Sequence, residues 1–234
     1  MSPPLAGLPG HPPALWRKSV GLEPWSIEAM APYALRWWDE TTSLSSTEWA
    51  SKITGQALTK NFSSTTVSSE TQASKRVTRI RDTSSNGLYA GISPLLAEPF
   101  EVWQVAQIAT MSGMWPLCTL GGSSWCAVNG GDSWGDPALM FQIVTQQTLY
   151  PGQQISGEWV LVRVVRDATG GALHLNGGAA LGSEASALVS HSNLRVGNAT
   201  NIDIRIAELV IVRRMPEHWA PDFANYLMGR WGLS

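Results

Sequence analysis

Over most of this chain apolar and polar residues trade places every second position, and a helical spacing enters only at the end. From Ile202 to Arg205 the alternation is strict, and Ile206 to Val212 is then apolar on both parities except at Glu208. That is the pattern of a strand covered on both faces. One cover is another sheet. The other is the segment that follows, where Pro221 sits in a first helical turn, Phe223, Tyr226, Leu227 and Trp231 recur at helical spacing, and Gly232 is the stop. The chain is expected to close with a strand and a short docking helix.

Earlier segments read as further strands. Ala34 to Trp38 and Glu48 to Ile53 flank a Ser/Thr turn cluster, and the adjacent Trp37 and Trp38 are expected on opposite faces, one in the core and one as a surface platform. Ser63 to Lys75 is polar without clear periodicity and reads as a long exposed loop. Val77 to Arg81 alternates, Ser85-Asn86-Gly87 supplies a turn, and Leu88 to Ile92 resumes. Phe100 to Ala109 reads as a long half-buried strand, and Met114 to Leu120 with Trp125 to Val128 as a hairpin carrying Cys118 and Cys126. Ala138 to Val144 and two strands between Gly157 and Gly178 follow. Ten or more short strands and a single helix predict an all-β fold, a two-sheet sandwich.

Composition sharpens this in two ways. Of 234 residues only 15% are charged, against 22 Gly, 14 Pro and 12 Trp, so the surface is expected to be Ser/Thr/Gly/Asn-rich. A net charge of -2 gives no basic stripe for nucleic acid. No apolar run reaches the ~20 residues of a membrane span, and no signal peptide is read at the start, so synthesis without export is expected. The cysteines read as two free thiols rather than a disulfide. Residues 1–28 form a Pro-rich extended arm and residues 29–234 the sandwich domain. The arm's Leu5, Leu8, Leu15 and Trp16 either pack on their own domain or dock on a neighbouring subunit or another protein; both readings stand.

One hairpin carries a family resemblance. Trp159, the alternating residues to Val165, Asp167 and Leu173-His174-Leu175-Asn176-Gly177 resemble the corresponding hairpin of concanavalin A-like lectin/glucanase (laminin-G-like) domains. The Ile206-Ala207-Glu208-Leu209 strand, the Tyr226-Leu227 to Arg230-Trp231-Gly232 ending and the Trp37-Trp38-Asp39 segment are similar to a bacterial and phage branch of that family. The resemblance implies a two-sheet antiparallel jelly-roll sandwich with a short C-terminal helix. It departs from the branch at Met215 to Pro221, where two prolines imply a late helix start at Pro221, with Asp222 near its N-terminus.

Chemistry is sparse. Glycosidases of this fold need paired carboxylates, whereas Glu101, Glu158 and Glu208 each stand alone in their strands. Arg163 and His174 are set aside as a lyase pair for want of a surrounding motif, and the four histidines have no metal-ligand spacing. A non-enzyme without a cofactor is expected. For binding, Trp125, Asn129, Asp132, Trp134 and Asp136 gather in a Gly-rich stretch, suited to a glycan or to Ca²⁺, or else to a tight loop folded over the sandwich end. The resemblance implies a non-catalytic structural protein of a tailed-phage virion, attached to other virion proteins through the arm and forming a homo-oligomer, with a trimer favoured. A carbohydrate-binding adhesion module is the alternative, and a divergent glycan hydrolase or lyase a weaker one.

Overall fold

The computed structural model describes residues 24–53, 57–60, 63–83, 88–96, 99–110, 114–120, 124–129, 138–143, 146–150, 157–185, 191–197 and 202–233. A four-residue helix, α1 (Ile27–Met30), precedes the strands β1 (Ala34–Trp38), β2 (Glu48–Ala50), β3 (Ala57–Lys60), β4 (Thr65–Gln72), β5 (Lys75–Asp82), β6 (Leu88–Leu96), β7 (Phe100–Thr110) and β8 (Met114–Leu120). Then come β9 (Ser124–Asn129), β10 (Ala138–Ile143), β11 (Gln146–Tyr150), β12 (Trp159–Asp167), β13 (Gly170–Leu175), β14 (Ala180–Ala185), β15 (His191–Val196) and β16 (Ile202–Arg213). A 3₁₀ turn at Glu217–Trp219 leads into α2 (Ala220–Trp231).

The strands pair antiparallel in two eight-stranded sheets, the sandwich expected from the sequence. The first runs β14-β13-β12-β7-β16-β5-β4, with β1 also paired to β16; the second runs β11-β10-β9-β8-β15-β6-β3-β2. The core between the sheets contains Trp38, Phe100, Val102, Val160, Val162, Ile204, Ile206, Leu209 and Ile211. A second apolar layer lies on the outer face of the first sheet, where Trp37, Trp103, Val105, Leu161, Val210 and Val212 meet Phe223, Ala224, Leu227 and Trp231 of α2.

β16 therefore has the two covers that its apolar pattern demands, and a β-bulge reconciles its parity. Ile202, Ile204 and Ile206 face the second sheet, as do Leu209 and Ile211. The register shifts between Ile206 and Glu208, so Ala207 and Glu208 both turn towards α2. One extra residue has reversed the alternation.

The helix obeys its sequence signals: proline in the first turn, Asp222 there as well, and Gly232 in the left-handed region at φ 67° as the cap, with the Leu233 N–H donating to Met228 O at 2.9 Å. The start at Ala220 agrees with the late entry expected from the two prolines, and the preceding 3₁₀ turn is an addition.

Four expectations are corrected. The polar stretch from Ser63 to Lys75 is a hairpin, β4 and β5, closed through Ala73 and Ser74 at φ 47° and 61°. Its inward positions are Thr65 and Val67 while the other face is open, so its alternation is masked by Ser and Thr on both faces. Trp37 and Trp38 do lie on opposite faces, but both are buried, because the sheet is covered twice. From Phe100 to Ala106 β7 is buried on both faces rather than half-buried for the same reason, and Gln107 is partly exposed. Finally, α1 adds a second helix, capped by Ser26 Oγ accepting from the Ala29 N–H at 3.0 Å. Trp25, within the stretch assigned to the arm, already packs its ring on Phe223 and Tyr226 at 5.7 and 5.3 Å.

Candidate ligand-binding surface

The outer face of the first sheet is divided. α2 covers one part, and there the family landmarks converge. Glu208, with no exposed side-chain surface, accepts the indole N–H of Trp37 at one oxygen and that of Trp231 at the other, each at 2.6 Å. Arg230 stands 3.4 Å from the same carboxyl and reaches Asp39 at 2.8 Å and Glu40 at 2.6 Å. Burial pushes the Glu208 carboxyl up to about 7, against the opposing pull of Arg230 and the indoles. The Trp37-to-Glu40 and Tyr226-to-Gly232 motifs are thus two sides of one buried knot.

At the other end of α2, Arg163 stacks over Trp103 at 4.9 Å and donates to Glu101 at 2.9 Å and to both oxygens of Glu217 at 3.0 and 3.1 Å. Arg214 donates to Glu101, Glu217 and Asp167 at 2.5, 2.6 and 3.0 Å. Against the effect of burial, these two guanidinium groups hold Glu217 down to about 2. The network fastens the 3₁₀ turn to the sheet. A cleft of about 310 Å³ opens above it, with His174 at its side donating from Nδ1–H to Gly178 O at 3.1 Å. Arg163 and His174 are direct cross-strand partners. That juxtaposition depends on register, which their separate sequence positions do not display.

Beyond the helix the same face is open and polar. Strand registers set Trp159 opposite Gln107, Gln107 opposite Arg205, Arg205 opposite Arg79 and Arg79 opposite Ser68, one row across five strands. At about 4.8 Å per strand the row is roughly 19 Å long. Glu70 accepts from Arg205 and Arg79, and Asp203 from Arg79 at 2.7 Å and from Arg81 at 3.1 Å. Hydrogen bonds from Arg205 and then Arg79 hold the Glu70 carboxyl below its usual range; against burial, Arg79 and Arg81 do the same for Asp203. Gln107 Nε2 donates to Gly157 O at 2.7 Å, fixing the amide beside the half-buried Trp159. Glu70, Thr71, Gln72, Gln107, Trp159 and Arg205 line a cleft of about 350 Å³. It holds an aromatic plate, an amide, a guanidinium and a carboxylate, which is the equipment of polar-ligand recognition.

The binding residues expected from the sequence fall elsewhere. Trp125 and Asn129 lie near opposite ends of β9, about 13 Å apart along the strand, with Asn129 next to the Gly-rich connection. Asp132, Trp134 and Asp136, and with them the Ca²⁺ reading, lie outside the described residues, as do Leu5, Leu8, Leu15 and Trp16 of the arm. Cys118 and Cys126 are direct partners across β8 and β9. Trp103, with 1% of its surface exposed, is no platform, and neither are Trp37 and Trp38. Among the described residues no group of three or more His, Cys, Asp or Glu is placed to hold a metal, and no helix is long and apolar enough to cross a membrane. The row from Trp159 to Ser68 escaped sequence reasoning because its members are scattered along the chain between Ser68 and Arg205; only Trp159, as the opening of the recognised hairpin, carried a signal.

No family model and no curated protein matches the sequence. Solved structures do share the fold. Trypanosoma rangeli sialidase superposes with a TM-score of 0.61 at 11% identity, covering 87% of this chain and 34% of the sialidase. The binding domain of Paraclostridial Mosquitocidal Protein 1 gives 0.60 at 12%, covering 86% of this chain and 55% of that one. The ligand binding domain of botulinum neurotoxin serotype D, in complex with N-acetylneuraminic acid, gives 0.62 at 13%, covering 88% and 56%. This chain therefore spans about a third of the sialidase and just over half of the toxin domains. At such identities the likeness establishes the β-sandwich fold and no more.

Proposed function

We propose that this chain is a non-catalytic carbohydrate-binding domain that receives a glycan along the open row from Trp159 to Ser68. The observation that carries the reading is the row itself: one half-buried indole continued across the sheet by amide, guanidinium and hydroxyl groups, on the part of the face that α2 leaves uncovered. A sugar ring stacks its C–H face on such a plate and satisfies its hydroxyls at the polar groups beside it. The likeness to a toxin domain solved with N-acetylneuraminic acid supports it.

The charge states support binding rather than hydrolysis. A retaining or inverting glycosidase needs one carboxyl kept protonated beside the substrate. In the open row Glu70 and Asp203 are held ionised by arginines. Glu208, pushed up to about 7, is sealed beneath α2.

A glycan array read with the full chain tests this. Trp159→Ala is expected to lower binding at least tenfold with a shift of a few degrees at most in the melting temperature, because the indole is only partly buried. Wild-type binding that survives Trp159→Ala but is lost in Trp134→Ala/Asp136→Ala moves the site to the Gly-rich connection and overturns the row. The setting in a tailed-phage particle rests on the family resemblance alone; deletion of Met1 to Trp16 is then expected to leave the domain folded and abolish incorporation into particles, and normal incorporation rejects that setting.

A further inference from the structure

A sheet that ends in an open strand carries unpaired main-chain groups along its rim, and folded proteins blunt such edges by shortness, bulges, proline, lysine or a cover. Among the described strands, three of the four edges follow that rule. β2 is three residues long. β14 is bulged, its register shifting between Leu173 and His174, and it runs close to β11, so these two strands shut one end of the sandwich. β4 does not follow it. It is eight residues long, TTVSSETQ, pairs with β5 in an unbroken register, and has neither proline, glycine nor lysine.

The hairpin turn fixes which main-chain groups of β4 face outward. Ala73 and Ser74, both at positive φ, form a two-residue turn of type I′, which makes Gln72 and Lys75 a hydrogen-bonded pair. Such pairs alternate with pairs that share no hydrogen bond. Ser68 and Glu70 therefore spend their N–H and C=O groups on β5, whereas Val67, Ser69 and Thr71 turn theirs to the outside. The side chains there leave room, since Ser68, Ser69 and Thr71 are exposed. Glu70, the one charge on the strand, is already neutralised by Arg79 and Arg205.

We propose that two copies of this chain pair antiparallel along β4, around a two-fold axis at Ser69. An axis perpendicular to the sheet keeps each face with its own kind, so residues of the same parity meet. With Ser69 opposite Ser69, Val67 lies opposite Thr71 and Thr71 opposite Val67, three pairs that exchange two main-chain hydrogen bonds each. On the outer face Ser68 of one copy lies opposite Glu70 of the other, a hydroxyl donor facing a carboxylate, and Thr66 lies opposite Gln72. No like charges stand directly opposite. That self-complementarity favours a second copy over an unrelated strand, and two-fold pairing gives a dimer rather than the trimer that the family resemblance implies. The pairing stands without glycan binding; on the reading of the open row, it sets two rows on one continuous face, with a Trp159 towards each end.

Sedimentation of the full chain tests the dimer. The wild type is expected to pass from monomer to dimer as its concentration rises from about 1 to about 200 μM. Ser69→Pro, which removes the outward N–H at a place where an edge strand tolerates proline, is expected to stay a monomer with its melting temperature within a few degrees of the wild type. Ser69→Lys, which sets two ammonium groups opposite each other, is expected to do the same and decides the matter should the proline variant not fold. Register is read from Ser69→Cys and Ser68→Cys. Direct partners in an antiparallel pair stand within disulfide reach, so oxidised glutathione is expected to link two copies of the Ser69→Cys chain at that position and to leave Ser68→Cys unlinked, with the bridged peptide identified by mass spectrometry. A monomer at every concentration, a trimer, a dimer that Ser69→Lys retains, or linkage through Ser68→Cys in place of Ser69→Cys overturns the proposal.

Discussion

Two parts of one sheet face carry the same kinds of side chain to opposite ends. Under α2, Trp37 and Trp231 spend their indole N–H groups on Glu208, whose carboxyl burial pushes up to about 7. In the open part, Trp159 lies half-buried beside carboxylates that arginines hold below their usual range. The difference is the presence of a cover. Where the helix excludes water, each polar group must find a partner inside the protein, and tryptophan becomes part of the frame. Where it does not, the ion pairs share their energy with solvent, and the aromatic and hydrogen-bonding surface remains available to a ligand.

The sharpest way to break this contrast is to remove the knot. Trp231→Ala is expected to destabilise the domain by about 3 to 5 kcal/mol, since a buried indole is lost and a cavity left. Glu208→Ala is expected to cost a similar amount, about 3 to 5 kcal/mol, because two buried N–H groups and Arg230 lose their acceptor. In urea unfolding the double variant should fall well short of the sum, since each single change already breaks the same hydrogen bond. Full additivity, or a change below about 0.5 kcal/mol for Trp231→Ala, means that the helix is peripheral.

pH reaches the same group. A carboxyl raised in the folded state to about 7 contributes most below its unfolded value near 4.3, and that contribution is lost as pH rises through 7. Lowering the pH from 8 to 5 is therefore expected to add up to about 3 kcal/mol on account of Glu208. Below about 4.5 the sign reverses, because Glu217, held down to about 2 by Arg163 and Arg214, must be protonated as the protein unfolds. A stability maximum near pH 5 results. Glu208→Gln should flatten the limb between pH 5 and 8; an unchanged slope assigns that limb elsewhere.

What the sequence disclosed follows the same division. The covered part was legible: apolar residues on both parities of β16 called for two covers, and proline, Asp222 and Gly232 marked the helix. The open part was not. Ser63 to Lys75 was read as a loop because a solvent-facing strand flanked by Thr and Ser has little contrast between its faces, although Thr65 and Val67 point inward. The bulge at Ala207 and Glu208 left a trace only as a break in alternation. Trp37 and Trp38 illustrate the limit: adjacency in a strand fixes opposite faces, but the fate of each face depends on what the rest of the chain lays over it.

A smaller effect isolates the backbone at the end of the cover. Gly232 caps α2 at φ 67°, and a Cβ built there would meet Ala73 Cβ at an ordinary 3.9 Å. The cost of Gly232→Ala is thus conformational, about 1 to 2 kcal/mol. A loss above about 3 kcal/mol would point to a packing defect instead.

The smallest expected effect lies in the open row, and it is the one that sharpens the comparison most. Arg79 and Asp203 are joined in two places, with 16% and 14% of their side chains exposed, and Glu70 and Arg205 extend the ladder to 30% and 20%. A double-mutant cycle on Arg79 and Asp203 is expected to give a coupling of about 1 kcal/mol or less, falling as salt is raised from 0.05 to 0.5 M, since solvent and counterions reach the pair. The corresponding cycle on Glu208 and Trp231 should give a larger coupling that salt barely alters, because no solvent reaches that carboxyl. A salt-insensitive coupling of 2 kcal/mol or more for Arg79 and Asp203 would show the ladder to be as much a part of the frame as the knot beneath α2. The open row would then lose its standing as a surface free to exchange its water for a sugar.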